Sequence, residues 1–334
     1  RLNLNKLISV LSLFLFAISF LSNATTVDTA QNFSHETIQS KNYDGLALNI
    51  LTHEYPVMGE PTSLHAKQFE RLTGIKINIT HVPFDRLYQE AFWGLKDNKY
   101  DIVFYASLWI ADFHSYLAPV PDSMLQSDSF QDILPHYQNI AKWNDTTYQV
   151  SIDGDRHYLQ FRKALLENPK YAKAYQTKYG KRLNTPKTWK DVNQIAAFFN
   201  GMTLDSGKTV YGLAEITDRN DLLFSQFIKR AAPYAKHPKV NDGFYFELST
   251  MKPQINNPGF VEALRDFVES TRYYSPNGIN YGLADVIDSF GSGETIFSDS
   301  WDDSFVKAME GSSSIADEVA ATLSPGSDKV WNRN

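Results

Sequence analysis

Residues 46–106 read LALNILTHEYPVMGEPTSLHAKQFERLTGIKINITHVPFDRLYQEAFWGLKDNKYDIVFYA, and this stretch decides the fold class. LALNILTH (46–53) and IKINITHV (75–82) are β-rich apolar runs that end in polar residues, as strands do. YDIVFYA (100–106) is a third. Between the first two, EPTSLHAKQFERLTG predicts a helix with Leu64, Ala66, Phe69 and Leu72 on one side and Lys67, Glu70 and Arg71 on the other. Gly74 stops it in the expected place. DRLYQEAFWGLKDNK predicts a second helix. Strand–helix–strand–helix–strand implies a parallel sheet with crossover helices.

The pattern resumes after a loop-rich stretch. YQVSIDGDRHYLQFRKALL (148–166) predicts a strand, a break, a second strand and a helix start. Thr188 is placed to cap a helix, with Asp191 at the capping-box position and Trp189, Val192, Ile195, Ala196 and Phe199 on its buried face. TVYGLAEI (209–216) predicts a strand. NNPGFVEALRDFVESTRYY (256–274) opens with Asn and Pro as helices do, and puts Val261, Leu264, Phe267 and Val268 along one face. DSFGSGETIFSDSWDD (288–303) predicts a helix end, a turn and a strand.

At 334 residues the chain is long enough for two domains with separate cores, and 43% hydrophobic with 21% charged residues is a globular composition. The formal charge is −6, and no basic patch interleaved with aromatics appears, which argues against nucleic acid as a partner. Arg1 and Lys6, the apolar run LISVLSLFLFAISFL and the small residues Ser22 and Ala24 predict a cleaved secretory signal over 1–24; losing it moves the charge from −6 to −8. The apolar run is short for a membrane span of about 20 residues, and no basic stop-transfer cluster follows it. A polar, flexible leader is expected over 25–44. The chain has no cysteine, so it has neither disulfides nor a lipoprotein attachment site. A periplasmic location is expected.

Six separate stretches carry a family resemblance. KQFERLTGIKINI, YDIVFYASLWIADFHSYLAPV, YLQFRKALLEN, TPKTWKDV, INNPGFVEAL and FGSGETIFSDSW resemble, in order and spacing over about residues 45–325, the extracellular solute-binding proteins of ABC importers, in the sugar-binding family that includes maltose-binding protein. The resemblance implies an α/β fold of the periplasmic-binding-protein-like type II. Such a fold has two α/β lobes joined by a hinge of crossing strands, with a ligand cleft between them that closes on binding. It assigns an N-terminal lobe to 45–152 and the hinge crossing with a C-terminal lobe to 153–330. Family members run on beyond TLSPGSDKVW through a second crossing back to the first lobe. This sequence stops at Asn334, so the first lobe is expected to be incomplete. The resemblance also implies a monomer that delivers a carbohydrate to ABC permease subunits, with no chemistry, cofactor or metal of its own.

The candidate ligand residues follow from placing motifs on that frame. An EF-hand loop started at Asp153 would need an acidic residue at its twelfth position, where Ala164 stands. Aligned on FRKALL, Asp155 falls where sugar-binding relatives carry an acidic ligand residue, with Gly154 as the bend and Asp153 its neighbour. Carboxylate oxygens accept from adjacent sugar hydroxyls; a plain hinge or capping aspartate is the competing reading. Aligned on ETIFSDSW, Trp301 falls where relatives stack a tryptophan on a sugar ring, with Asp302 and Asp303 at its hydroxyl rim. The competing reading is a core tryptophan beside a solvated acidic turn. Trp109, with Tyr105 and Asp112, lies at the carboxyl end of a predicted strand, where open α/β sheets bind ligands. Relatives also use polar residues after the first strand, here His53, Glu54 and Tyr55, in a register that needs a gap.

Other motifs carry less. GSGET lacks the Gly-Lys-Ser/Thr ending of a phosphate loop and reads as a turn. Tyr273 and Tyr274 match the paired tyrosines of related ferric-ion binders, but they end an amphipathic helix in a sugar-type pattern. Two alternatives stay open: a secreted carbohydrate-active enzyme using Asp153 and Asp155 as acid and base, and a binding protein read by a membrane sensor. The first needs carboxylates about 5–9 Å apart on one face of the chain.

Overall fold

The computed structural model describes residues 43–332 apart from 55, 220 and 310–312, so the signal and almost all of the leader region, and Tyr55, lie outside the described residues. Two compact units divide the chain between Gly154 and Asp155.

The first unit is built on strands β1 (Ala47–His53), β2 (Lys76–Val82) and β3 (Ile102–Val103) in the order β2-β1-β3, all parallel. Helix α1 (Pro56–Thr73) and α2 (Phe84–Lys96) are the crossovers. The third strand is shorter than YDIVFYA predicts, pairing with β1 through Ile102 and Val103. Gly74 adopts φ +73°, the left-handed turn expected after α1. On α1 Thr62, His65, Ala66 and Phe69 are buried, whereas Leu64 is 50% exposed, which corrects its expected inward placement. Gly94, in the last turn of α2, is explained by packing: a Cβ there would lie 2.4 Å from the ring of Tyr100. A hairpin of β4 (Lys142–Trp143) and β5 (Thr146–Thr147) turns through Asn144 and Asp145, both at positive φ, as tight hairpins require.

The second unit holds a five-stranded mixed sheet. Its strands are β6 (His157–Arg162), β7 (Met202–Thr203), β8 (Thr209–Ala214), β9 (Thr295–Trp301) and β10 (Val319–Leu323), in the order β10-β6-β9-β8-β7. Only β8 and β9 are parallel. The expected strand over YQVS is absent; 148–156 is irregular. Helices α3 (Pro169–Tyr179), α4 (Trp189–Phe199), α5 (Asp221–Ala235), α6 (Pro258–Ser270), α7 (Leu283–Gly291) and α8 (Asp303–Met309) complete the unit. The Thr188–Asp191 capping box forms as expected, and Trp189, Val192, Ile195, Ala196 and Phe199 are all buried.

Helix α6 turns a different face inward from the one expected. Asn257 caps it, accepting from Phe260 N at 3.0 Å, and Phe260, Ala263 and Phe267 face α5. Val261, Leu264 and Val268 are 38%, 50% and 60% exposed, a correction to three of the four residues assigned inward. Phe260, Ala263 and Phe267 form a second stripe at i, i+3, i+7, and contact with α5 selects it.

Between α4, α5, α6 and β8 lies a buried ionic cluster. Arg230 is fully buried, donating to Glu215 Oε1 at 2.6 Å and Asp266 Oδ2 at 2.8 Å, with its guanidinium 3.8 Å over the Trp189 ring. Glu215 also accepts from Tyr274 Oη at 2.6 Å, Ser270 Oγ at 3.0 Å and Gln226 at 3.1 Å. Burial pushes the Glu215 carboxyl up, but Arg230 and the Tyr274 hydroxyl outweigh it and hold the acid below its ordinary range. Glu215→Ala leaves the buried Arg230 charge with Asp266 alone and the Tyr274, Ser270 and Gln226 donors without their acceptor, and breaking a buried pair in this way costs about 3–5 kcal/mol. Urea unfolding of full-length protein should show it, while Arg265→Ala, which removes an exposed pair with Glu262, should stay within about 0.5 kcal/mol.

Candidate functional site

The carboxyl ends of β1, β2 and β3 gather an aromatic group in the first unit. His53 ends β1 and meets Phe84 edge-on at 5.9 Å, and Phe84 lies 5.8 Å from Trp109. Trp109 is only 7% exposed, packed on Tyr88 and Phe113 at 5.2 and 6.1 Å, so its ring is mostly covered by neighbouring rings. Tyr105 packs on the same Phe113 at 5.2 Å. Its hydroxyl is buried with no partner among the described residues, and burial pushes its pKa far up. Asp112 is exposed and accepts from Tyr88 Oη at 3.0 Å.

Glu54 is exposed at the mouth of an open groove of about 340 Å³, whose walls include Glu60, Ser63 and Lys67 of α1 and His81 of β2. Asp153 accepts from the backbone N–H of Gly154 at 2.7 Å, and its charge pulls the His53 pKa up against the larger lowering effect of burial. Gly154 is needed for a reason other than backbone bending. The Tyr137 hydroxyl donates to its carbonyl at 2.6 Å, and a Cβ would lie 2.9 Å from that hydroxyl oxygen.

The second unit brings more of the expected residues together. The antiparallel register pairs His157 with Trp301, Leu159 with Asp299 and Phe161 with Phe297. Directly opposed residues share a face, so His157, Asp299 and Trp301 line one side of the sheet near the carboxyl end of β9. Trp301 is half-buried; its ring lies 4.5 Å from that of His157 and packs on Ala214, Ile216 and Val286. Asp302 N donates to Arg156 O at 2.9 Å and Arg156 N to Asp302 Oδ1 at 3.3 Å, a reciprocal clasp that sets Asp155, exposed, next to the Trp301–Asp302 turn. Asp303 begins α8.

Sequence reasoning did not single out the polar residues behind this turn. Lys229 of α5 contacts Asp299 Oδ2 at 2.7 Å and His157 Nδ1 at 3.2 Å. Gln226 donates to the same Asp299 oxygen at 2.7 Å. Burial, aided by Lys229, lowers the His157 pKa to about 3. A buried Lys or Gln on an amphipathic helix leaves no local sequence signal, because its partners lie 72 and 73 positions away.

Among the described residues no cluster of three His, Asp or Glu is arranged to hold a metal ion, and no helix is long and apolar enough to cross a membrane. A half-buried ring at Trp301 and exposed carboxylates at strand carboxyl ends of an α/β fold are the kind of surface on which such folds bind solutes. The profile of the bacterial extracellular solute-binding protein family matches residues 65–332, and the chain belongs to that family.

Solved structures agree on the fold. An ABC transporter solute-binding protein of Agrobacterium radiobacter K84 in complex with ribitol is 18% identical, with TM-score 0.68, covering 86% of this chain and 68% of that one. Maltose-bound MalE3 of T. maritima is 17% identical, with TM-score 0.67 and coverage of 85% and 68%. A Thermotoga lettingae TMO solute-binding protein bound with alpha-D-tagatose is 20% identical, with TM-score 0.66 and coverage of 85% and 69%. The chain thus spans about two thirds of the length of these proteins. No curated protein sequence matches it significantly.

The lowered His157 pKa has a consequence for stability. Unfolded, His157 takes up a proton below about 6.5, while folded it stays neutral down to about 3. The unfolded chain therefore binds more protons in that window, and stability is lost as pH falls below about 6.5. Between pH 6.5 and 5 the loss from this group is about 2 kcal/mol. Urea unfolding at pH 7 and pH 5 should show a smaller acid-induced loss in His157→Gln than in the wild type; His53, also lowered by burial, acts in the same direction in both.

Proposed function

We propose that this chain is the periplasmic binding component of an ABC importer, and that it captures a carbohydrate and delivers it, as a monomer, to permease subunits in the inner membrane. The carrying observation is the Trp301 turn: a half-buried indole at the carboxyl end of a central strand, with Asp302 adjoining and Asp155 brought alongside by the Arg156–Asp302 clasp. An indole face matches the C–H face of a sugar, and carboxylates accept from hydroxyls. In the first unit, Glu54 and Asp112 are the exposed candidates, with Asp153 near His53 and with Tyr105 and Trp109 as ring candidates. Asp303 extends the acidic rim of the Trp301 turn in sequence. Family membership and the sugar and polyol ligands of the structural neighbours support the substrate class.

The test is a panel of ribitol, D-mannitol, maltose and D-tagatose, titrated by calorimetry and thermal shift. A ligand present at about 100 times its Kd adds about 2.7 kcal/mol of stability, which is a shift of several degrees in Tm. Trp301→Ala should abolish the heat of binding while leaving the unliganded Tm within a few degrees. Failure of every carbohydrate and polyol, with binding of another solute class, overturns the assignment.

A further inference from the structure

Lys229, Asp299 and His157 form a chain that runs from the buried core of the second unit to the Trp301 ring. Lys229 Nζ sits between Asp299 Oδ2 at 2.7 Å and His157 Nδ1 at 3.2 Å. An ammonium group has donors and no acceptor. Its contact with Nδ1 therefore requires that nitrogen to carry the lone pair, and the neutral ring then carries its proton on Nε2. Among the described residues Nε2–H has no protein acceptor, and the ring lies 4.5 Å from Trp301 on the same face of the sheet.

We infer that His157 is a ligand-binding residue of the carbohydrate site, presenting Nε2–H as a fixed donor to a hydroxyl oxygen, and that Lys229 is the positioning residue that sets this tautomer. The inference rests on the carbohydrate reading and adds to it a donor that the acidic residues of the site do not supply. A hydroxyl can give one hydrogen bond and accept others. Carboxylates take the first kind; a neutral imidazole N–H fills the second.

The surroundings of His157 keep it in that state. From α5 it faces Lys229; from β9 it faces Trp301, with Asp299 neutralising Lys229 behind it. Glu215, beyond β8, is bound to Arg230. Arg156 and Asp302 flank it through their backbone clasp, and its own carbonyl accepts from Ser324 Oγ at 3.1 Å on the β10 side. Burial and the Lys229 charge both oppose protonation, which keeps the donor neutral through the acid range.

Two measurements test this. Nitrogen NMR of the ligand-free full-length protein should show His157 as the Nε2–H tautomer, unchanged from pH 8 to about 4.5; an Nδ1–H tautomer, or titration near the ordinary histidine value of about 6.5, overturns the positioning step. Calorimetry with the four-compound panel should show wild-type affinity varying less than twofold between pH 7.5 and 5, and His157→Leu, which has no donor, should weaken it at least tenfold. Lys229→Met frees the ring to take the Nδ1–H tautomer, so affinity should fall at pH 7.5 and recover on acidification, when both ring nitrogens carry protons, and Lys229→Arg should restore the wild-type profile. If Lys229→Met does not fold, His157→Leu, which leaves the Lys229–Asp299 pair intact, still decides. Should Trp301→Ala lose binding while His157→Leu stays within twofold of the wild type, the role of His157 is wrong and the carbohydrate reading stands. If the wild type binds another solute class and no carbohydrate or polyol, both fall.

Discussion

The guanidinium of Arg230 holds the second unit together. It is a full charge with no exposure, and its partners come from three separate elements: Glu215 after β8, Asp266 and Phe267 on α6, Trp189 at the start of α4. A buried charge is tolerated only where its partners are already in place. The position of α5 over the sheet is thereby tied to α4, α6 and the carboxyl end of β8 at once. Lys229, the preceding residue, inherits that position, and through Asp299 it reaches the strand that carries Trp301. The surface proposed to meet solute thus stands on a polar scaffold, which fixes direction as well as proximity.

That scaffold explains an odd property of β9. A central strand covered on both faces usually reads as an unbroken apolar run, yet Ser298, Asp299 and Ser300 are all fully buried in it. On one face Asp299 is answered by Lys229 and Gln226. The strand trades apolar contact for an ionic one two residues before Trp301, the ring proposed to meet the solute.

Local signals were legible in the sequence and long-range ones were not. The Thr188–Asp191 box, the left-handed Gly74 and the Asn257–Pro258 start are set within a few residues, and each was readable. The strand–helix alternation fixed the α/β class for the same reason. The face of α6 was misread because its two apolar stripes are equivalent until α5 packs on one of them. Trp109 was located correctly at a strand's carboxyl end, but its burial depends on Phe84, Tyr88 and Phe113, whose convergence no spacing rule shows. The partnership of Lys229 with His157 and Asp299 bridges about 70 residues and was invisible.

The tyrosine clamp on Gly154 has a mechanical consequence. The Gly154 carbonyl is tethered by Tyr137 within the first unit, and the Arg156 carbonyl is tethered by Asp302 within the second. A single residue, Asp155, separates a backbone group anchored on one body from a backbone group anchored on the other. The backbone on either side of Asp155 is therefore held separately within each unit, and one of the acids proposed to meet the solute stands on a stretch whose neighbours are both fixed.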